Sequence, residues 1–321
     1  MKILVTGATG FIGQRFVESI LPEGNEIFSL VRKTSKVDFL KKAGISLITA
    51  DIADREEVEK VFSEVRPDVT VHCSASVTSG DEDELYKANV VGTENICSAC
   101  LKYCTDRLVY LSSVSVVSGN TETPLRDDMP YKATSAYGRS KIEAEKKVLR
   151  YRDKGLRAVV LRPCMVYGEE EPHALDKILR RVSKRLVPVI SMPGVKDKLH
   201  LAYIDNVVDA MRLAMGKPQA LSGTFIIADR EIISIRKFIE ILSDELGAGK
   251  PFVIPVFLVK TALIVPFIRK KFNRIFKDRI YDISRAVSEL GYDPKISTEE
   301  ALRKTARYWG TPHLGTPHKG E

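Results

Sequence analysis

The chain has 321 residues, 44% of them hydrophobic and 29% charged, with a formal net charge of +8. This mix excludes a disordered segment or a small disulfide-stapled scaffold and allows one large α/β domain or two lobes with a real core. The longest apolar stretch, FVIPVFLVKTALIVPFI (252–268), is broken by Lys260 and holds Pro255 and Pro266, so no spanning helix is expected. MKILVTG enters directly as a strand without a signal segment, and the five cysteines are odd in number, which points to free thiols in a reducing, cytoplasmic setting.

In chain order, KILVT (2–6) reads as a strand, glycine-rich punctuation follows, and FIGQRFVESIL (11–21) has helical spacing. EIFSLV (26–31) is a second strand, DREEVEKVFSEV (54–65) a charged amphipathic helix, and VTVHCSA (69–75) a further strand. ENICSACLKYC (94–104) reads as a helix, RLVYLSS (107–113) as a strand, SKIEAEKKVLRYR (140–152) as a helix, and RAVVLRP (157–163) as a strand. Strands alternating with helices of this length imply βαβ units in a parallel, doubly wound α/β sheet of the Rossmann type, with its crevice at the carboxyl ends of the strands. After Tyr167 the alternation loosens. ALDKILRRVSKRL (174–186) is a basic helix, HLAYIDNVVDAMRLAM (200–215) a strand-to-helix unit, GTFIIA (223–228) a strand, and 234–246 and 298–309 are helices. The expected division is 1–167 plus 200–228 for the nucleotide-binding domain, and 168–199 plus 229–321 for a smaller substrate-binding lobe. The tail GTPHLGTPHKGE (310–321) is expected to be flexible.

Cys97, Cys100 and Cys104 recur at helical spacing, but no fourth ligand is near in sequence. Thiols on a buried helix face are therefore the reading, and no metal is expected. VTGATGFIG (5–13) spaces Gly7, Gly10 and Gly13 by three between a strand and a helix. Glycine there allows a tight turn and lets backbone N–H groups approach a pyrophosphate at the helix N-terminus, with Phe11 and Ile12 in the first turn. TSAYGRSKIEAEKK (134–147) sets Tyr137 and Lys141 four apart on one helical face. A free tyrosine has a pKa near 10, and an adjacent ammonium favours the phenolate and lowers it, so the pair suits acid/base chemistry.

These motifs resemble the extended short-chain dehydrogenases/reductases, which include the NAD-dependent epimerases and dehydratases. TGATGFIG, ADI (50–52), VHCSAS (71–76), NVVGTEN (89–95), YLSS, YGRSK, LRPCMVYG (161–168), AYIDNVVDA (202–210) and YDISRAVSELGYDP (281–294) follow the family's order across nearly the whole chain. The resemblance implies a nicotinamide cofactor contacted by Gly7, Gly10, Phe11, Ile12, Gly13, Asp51, Ile52, Ser74, Ala75, Asn89, Tyr137, Lys141 and Pro163. It also implies Tyr137 as proton donor or acceptor, Lys141 as its tuner and ribose ligand, and Asn89 as the residue that holds the active-site helix. The third member is a serine at the end of RLVYLSS that anchors the substrate oxygen. Ser113 is the choice, with Ser112 and Ser115 as alternatives, while an alignment through SG at 118–119 would put Val114 there.

Val31 falls where the family's acid would contact the ribose 2′-hydroxyl, and Arg32 follows; a guanidinium can pair with a 2′-phosphate. NADP(H) is accordingly expected over NAD(H). Met165 stands where nucleotide-sugar enzymes often carry Asn, and no Asp-Glu pair follows the serines, which disfavours a dehydratase. Lys196, Lys198 or the basic helix (Lys177, Arg180, Arg181, Lys184, Arg185) can meet an anionic substrate group, or form a solvated face. The expected activity is hydride transfer between nicotinamide and a secondary alcohol or ketone, with a hydrophobic small-molecule substrate, no nucleic acid, and a homodimer. A nucleotide-sugar epimerase or dehydratase is the alternative, and a non-catalytic cofactor sensor a remote one. From Lys260 to Arg285 eight basic residues face only Asp278 and Asp282, and Ile268, Phe272, Ile275 and Phe276 recur beside them at helical spacing. The basic apolar segment 252–277 suits peripheral contact with a membrane, or else core packing of the small lobe or a dimer contact.

Overall fold

The computed structural model describes residues 1–77, 80–172, 175–190, 195–216, 222–275 and 278–310, and of 271 and 273–275 the backbone alone. Phe276, Lys277 and the tail from 311 lie outside the described residues. In chain order the first elements are β1 (Lys2–Thr6), α1 (Phe11–Ile20), β2 (Glu26–Val31), α2 (Asp38–Lys42), β3 (Ser46–Thr49), α3 (Arg55–Val65) and β4 (Val69–His72). Then come α4 (Glu82–Tyr86), a π-helical turn at Lys87–Val91, α5 (Gly92–Lys102), β5 (Arg107–Leu111), α6 (Ala136–Asp153) and β6 (Ala158–Pro163). The remainder is β7 (Met165–Tyr167), α7 (Leu175–Ser183), β8 (Val189–Ile190), β9 (Lys198–Tyr203), α8 (Ile204–Gly216), β10 (Thr224–Ile227), β11 (Ile232–Ser234), α9 (Ile235–Glu245), β12 (Val253–Ile254), α10 (Val256–Ala262), α11 (Pro266–Ile275) and α12 (Thr298–Gly310).

Seven strands form one parallel sheet in the order β10-β6-β5-β4-β1-β2-β3, the doubly wound arrangement the alternation predicts. Every residue of β5 and β6 is buried, as central parallel strands covered on both faces must be. Chain order reverses between β1 and β4, and in such sheets the ligand crevice opens at the carboxyl ends around that reversal. A cluster including Val58, Phe62, Ile96, Cys97, Cys100, Tyr110 and Val148 fills the space under α3, α5 and α6. Helix starts follow local chemistry: Asp54 accepts the N–H groups of Glu56 and Glu57 at 2.9 and 3.0 Å, and Ser135 accepts that of Gly138 at 3.0 Å.

Two compact units divide the chain differently from the sequence expectation: 1–166, 204–228 and 281–295 form the first, and 167–203, 229–280 and 296–321 the second. The strand at 198–203 thus belongs to the smaller unit, where β9 pairs antiparallel with β11. The segment 281–295 returns to the first unit because Asp282 N–H reaches Leu125 O at 2.8 Å and the buried Tyr292 donates to Ala228 O at 2.9 Å. In the second unit β8 pairs with β12, and α9 packs on α12. The stretch 252–268 does not fill the core of this unit, since only Val259 in it is buried. No helix among the described residues is long and apolar enough to cross a membrane.

Candidate active site

The glycine turn joins β1 to α1 in the first unit. Gly7 has φ +74°, and a Cβ there would lie 2.7 Å from Ser74 N; at Gly13 it would lie 2.2 Å from Gly7 O. The backbone of 7–13 therefore closes on itself and on the end of β4 only with hydrogen at these positions. Gly10 caps α1 with no side-chain acceptor, which leaves the helix N-terminus for an anion. Phe11 and Ile12 are half-buried in its first turn. This is a cradle that fits a dinucleotide pyrophosphate.

The other expected cofactor contacts ring the same strand ends. Arg32 follows β2 with an exposed side chain, and its N–H donates to Ser35 Oγ at 3.1 Å. Asp51 is exposed, and one carboxylate oxygen accepts Ala53 N–H at 2.9 Å. Ile52 is buried in the core, and its carbonyl accepts Asn95 Nδ2 at 2.9 Å. Ser74 and Ala75 extend β4 half-buried, with Ser74 N–H on Thr6 Oγ1 at 3.3 Å. Pro163 is buried at the end of β6, in register with Ile227.

Asn89 is 1% exposed, and its side chain is taken up within the protein. Its Oδ1 accepts Ser76 N–H at 2.8 Å, and its amide donates to Ser76 O at 3.0 Å and to Ser140 Oγ at 2.9 Å. Ser140 in turn donates to Tyr137 O at 2.8 Å. The residue therefore ties the loop after β4 to the first turn of α6 instead of projecting toward a ligand.

Ser112 and Ser113 part company at the end of β5. Ser112 is buried and donates to Glu145 Oε2 at 2.6 Å, whereas Ser113 is half-buried and its Oγ accepts Ser115 N–H at 3.1 Å. Ser115 Oγ is buried, and Val114 opens the short helix that follows. The phenol of Tyr137 is pushed up to about 12 by burial, with Ser113 hydrogen bonding opposing part of that rise. Lys141 is 1% exposed, donates to Leu111 O at 2.8 Å, and sits 4.4 Å from the Tyr110 ring centre. Burial brings its pKa down to about 8, while Glu145 and then Cys73 act to raise it. In the resting protein burial is the largest influence on Tyr137 and outweighs the lowering that the spacing suggests. The ammonium is turned beneath β5.

Two buried polar groups escaped the sequence reading. Glu145 continues the stripe of Tyr137 and Lys141 by one more turn, which is the signal that would have found it. It is fully buried and accepts Ser112, Tyr131 OH at 2.8 Å and the Arg162 guanidinium, whose Nη1 also donates to Asp127 O at 2.8 Å. His72, at the end of β4, meets Thr6 Oγ1 at 2.6 Å and Thr93 Oγ1 at 3.0 Å. Because Thr93 gives its proton to Asn89 O at 2.6 Å, His72 carries its hydrogen on Nε2 and accepts from Thr6. Burial, then the Lys141 cation, push His72 down to about 3, so it stays neutral beside that cation.

Outside this region, Cys97 and Cys100 are buried on α5, but Cys104 lies beyond the helix end and is exposed. Among the described residues no group of His, Cys, Asp and Glu could hold a metal. On α7, Arg180 pairs with Asp176 and Lys177 and Arg181 are exposed; just past its end Lys184 is exposed and Arg185 donates to Ala248 O, and Lys196 and Lys198 are exposed. Met165 is exposed.

The profile of the NAD dependent epimerase/dehydratase family matches residues 3–228. The chain is similar to a 2-alkyl-3-oxoalkanoate reductase of Stenotrophomonas maltophilia, at 29% identity over 95% of this chain and 98% of that one. It is 28% identical to a decarboxylating sterol-4-alpha-carboxylate 3-dehydrogenase of Schizosaccharomyces pombe, over 97% and 98% of the two chains. Among solved structures, a UDP-glucose 4-epimerase of Thermotoga maritima with UDP-glucose aligns with a TM-score of 0.79 at 25% identity, covering 96% of this chain and 98% of that one. The chain belongs to the NAD dependent epimerase/dehydratase family and is a nicotinamide-dependent enzyme of the extended short-chain dehydrogenase type.

Proposed function

We propose that the protein is an NADP(H)-preferring reductase of a hydrophobic ketone, with Tyr137 as the acid, Ser113 as the oxygen anchor and Lys141 as the buried cation beneath them. The observation that carries this reading is the geometry at the end of β5: the half-buried Tyr137 phenol hydrogen-bonds Ser113, whose neighbour Ser112 is taken up by Glu145. A bound nicotinamide supplies the hydride. Tyr137 passes its proton to the carbonyl oxygen as negative charge develops there, and Ser113 hydrogen-bonds the same oxygen, fixing its distance and orientation. Lys141, held cationic by Glu145, steadies the phenolate that remains. Asn89 positions the first turn of α6 through Ser140.

The substrate class follows the relatives' names, since a 2-alkyl-3-oxoalkanoate and a sterol carboxylate are both apolar skeletons bearing an oxygen function and a carboxylate. Preference for the phosphorylated cofactor rests on Arg32, with Val31 before it and no acid until Asp38. The second reading, epimerisation of a nucleotide sugar, is favoured by the likeness to the epimerase solved with UDP-glucose.

The test is titration of the purified protein with NADPH and NADH, followed by a screen of 3-oxo acids against UDP-sugars. NADPH binding at least about tenfold tighter, with the difference lost in Arg32→Ala, is expected; stoichiometric NAD retained through purification and turnover of a UDP-sugar overturns the reductase reading. Tyr137→Phe should lower kcat by about 10²–10⁴-fold while leaving NADPH affinity intact, and an unchanged kcat would remove Tyr137 from its role.

A further inference from the structure

The smaller unit presents a surface that its own core leaves uncovered. Ile264 is 77% exposed, Phe267 75%, and Phe252 and Phe257 66% each, with Leu258, Val265 and Ile268 exposed beside them in the chain. They lie just before β12, on α10, in the turn at 263–265 and on α11. Folded monomers rarely leave so many large apolar side chains in water over one short segment without a use for them. The same segment carries only positive charge, all of it from Lys260 onward. From 252 to 277 the sequence has six Lys and Arg and no Asp or Glu, and of these Lys260, Arg269 and Lys270 are exposed with no carboxylate partner among the described residues.

We propose that this face docks on an anionic phospholipid bilayer, lying in the interface plane without crossing it. The α10 helix has 7 residues and α11 has 10, far short of the roughly 20 a spanning helix needs. Phenylalanine and isoleucine side chains enter the boundary between headgroups and acyl chains, while the cations beside them meet anionic headgroups. Charge decides against a second copy of the chain as the occupant. A twofold interface sets a patch against itself, which would bring the exposed Lys260, Arg269 and Lys270 against their own copies, with no acid in the sequence 252–277 to neutralise them. A nucleic acid would satisfy the cations but leave Ile264 and Phe267 in water.

The experiment is vesicle flotation of the full-length protein, with vesicles of phosphatidylcholine mixed with phosphatidylglycerol and of phosphatidylcholine alone, at low and high salt. The parent protein should float with the anionic vesicles, release at high salt, and stay behind with the neutral ones. Arg269→Gln/Lys270→Gln should weaken partitioning about thirtyfold, from roughly fivefold per cation near the surface. Phe257→Ser/Phe267→Ser should weaken it comparably, and both variants should keep the parent's NADPH affinity, which shows that they are folded. Failure of the parent to float with anionic vesicles overturns the proposal, as does equal binding to neutral vesicles. A dimer in solution that Phe257→Ser/Phe267→Ser dissociates, without vesicle binding by the parent, assigns the face to self-association and likewise overturns it.

Discussion

Lys141 is an ammonium where ammonium ions are disfavoured, since burial removes its water and brings its pKa to about 8 from the ordinary 10.5. Folding therefore holds a proton at pH 7 that the buried site would release first. Between pH about 8 and 10.5 the unfolded chain binds more protons than the folded one, so this residue's contribution to stability rises with pH across that window. Below it the unfavourable contribution is fully present. Lys141→Met should raise the urea midpoint at neutral pH, flatten the rise above pH 8, and abolish turnover. A neutral-pH midpoint below the parent's would show instead that the Leu111 and Glu145 interactions outweigh desolvation. Turnover by the parent should also decline as pH passes 8 and Lys141 loses its charge.

The α6 helix carries Tyr137, Lys141 and Glu145 on one stripe, and Glu145 fastens it to β6 through Arg162. Both partners are nearly inaccessible, with side chains 4% and 0% exposed. A buried pair of this kind costs most when only half of it is removed. Glu145→Gln should lower stability by about 3–5 kcal/mol, and Glu145→Leu/Arg162→Met should recover most of that loss. If the double variant is no more stable than the single one, Ser112 and Tyr131 are what Glu145 chiefly holds, because leucine removes the acceptor oxygen that glutamine still offers one of them. Denaturant titration of the two variants beside the parent decides the point.

The first unit is completed by chain that returns late, at 281–295. Tyr292 is fully buried, and its hydroxyl on Ala228 O closes this return against the end of β10. Truncating a buried aromatic of this size costs about 3–5 kcal/mol. Tyr292→Ala should lower stability by that order and speed hydrogen exchange at Asp282 and Tyr292, whose N–H groups bond Leu125 O and Ala286 O. Tyr292→Phe, which loses one hydrogen bond, should cost only about 1 kcal/mol. Equal effects of the two variants would mean that the hydroxyl, and not ring packing, holds the segment.

What the sequence determined by itself is local in origin. Glycines three apart between a strand and a helix, apolar runs alternating with 3.6-residue periodicity, and a Tyr–Lys pair four apart are all written within a few residues of one another. They sufficed for the parallel sheet, the cradle at α1 and the family. Tertiary structure alone decided which serine faces inward, because Ser112 meets Glu145 only where β5 lies over α6. It likewise decided where Lys141 points, and that Asn89, which the family resemblance already implied as a holder of the active-site helix, does so through Ser76 and Ser140. The return of 281–295 and the exposure of 252–268 depend on which surfaces other segments cover. Spacing along a chain cannot report a neighbour brought from far away, and burial, which sets the state of Tyr137, Lys141 and His72, is a property of those neighbours.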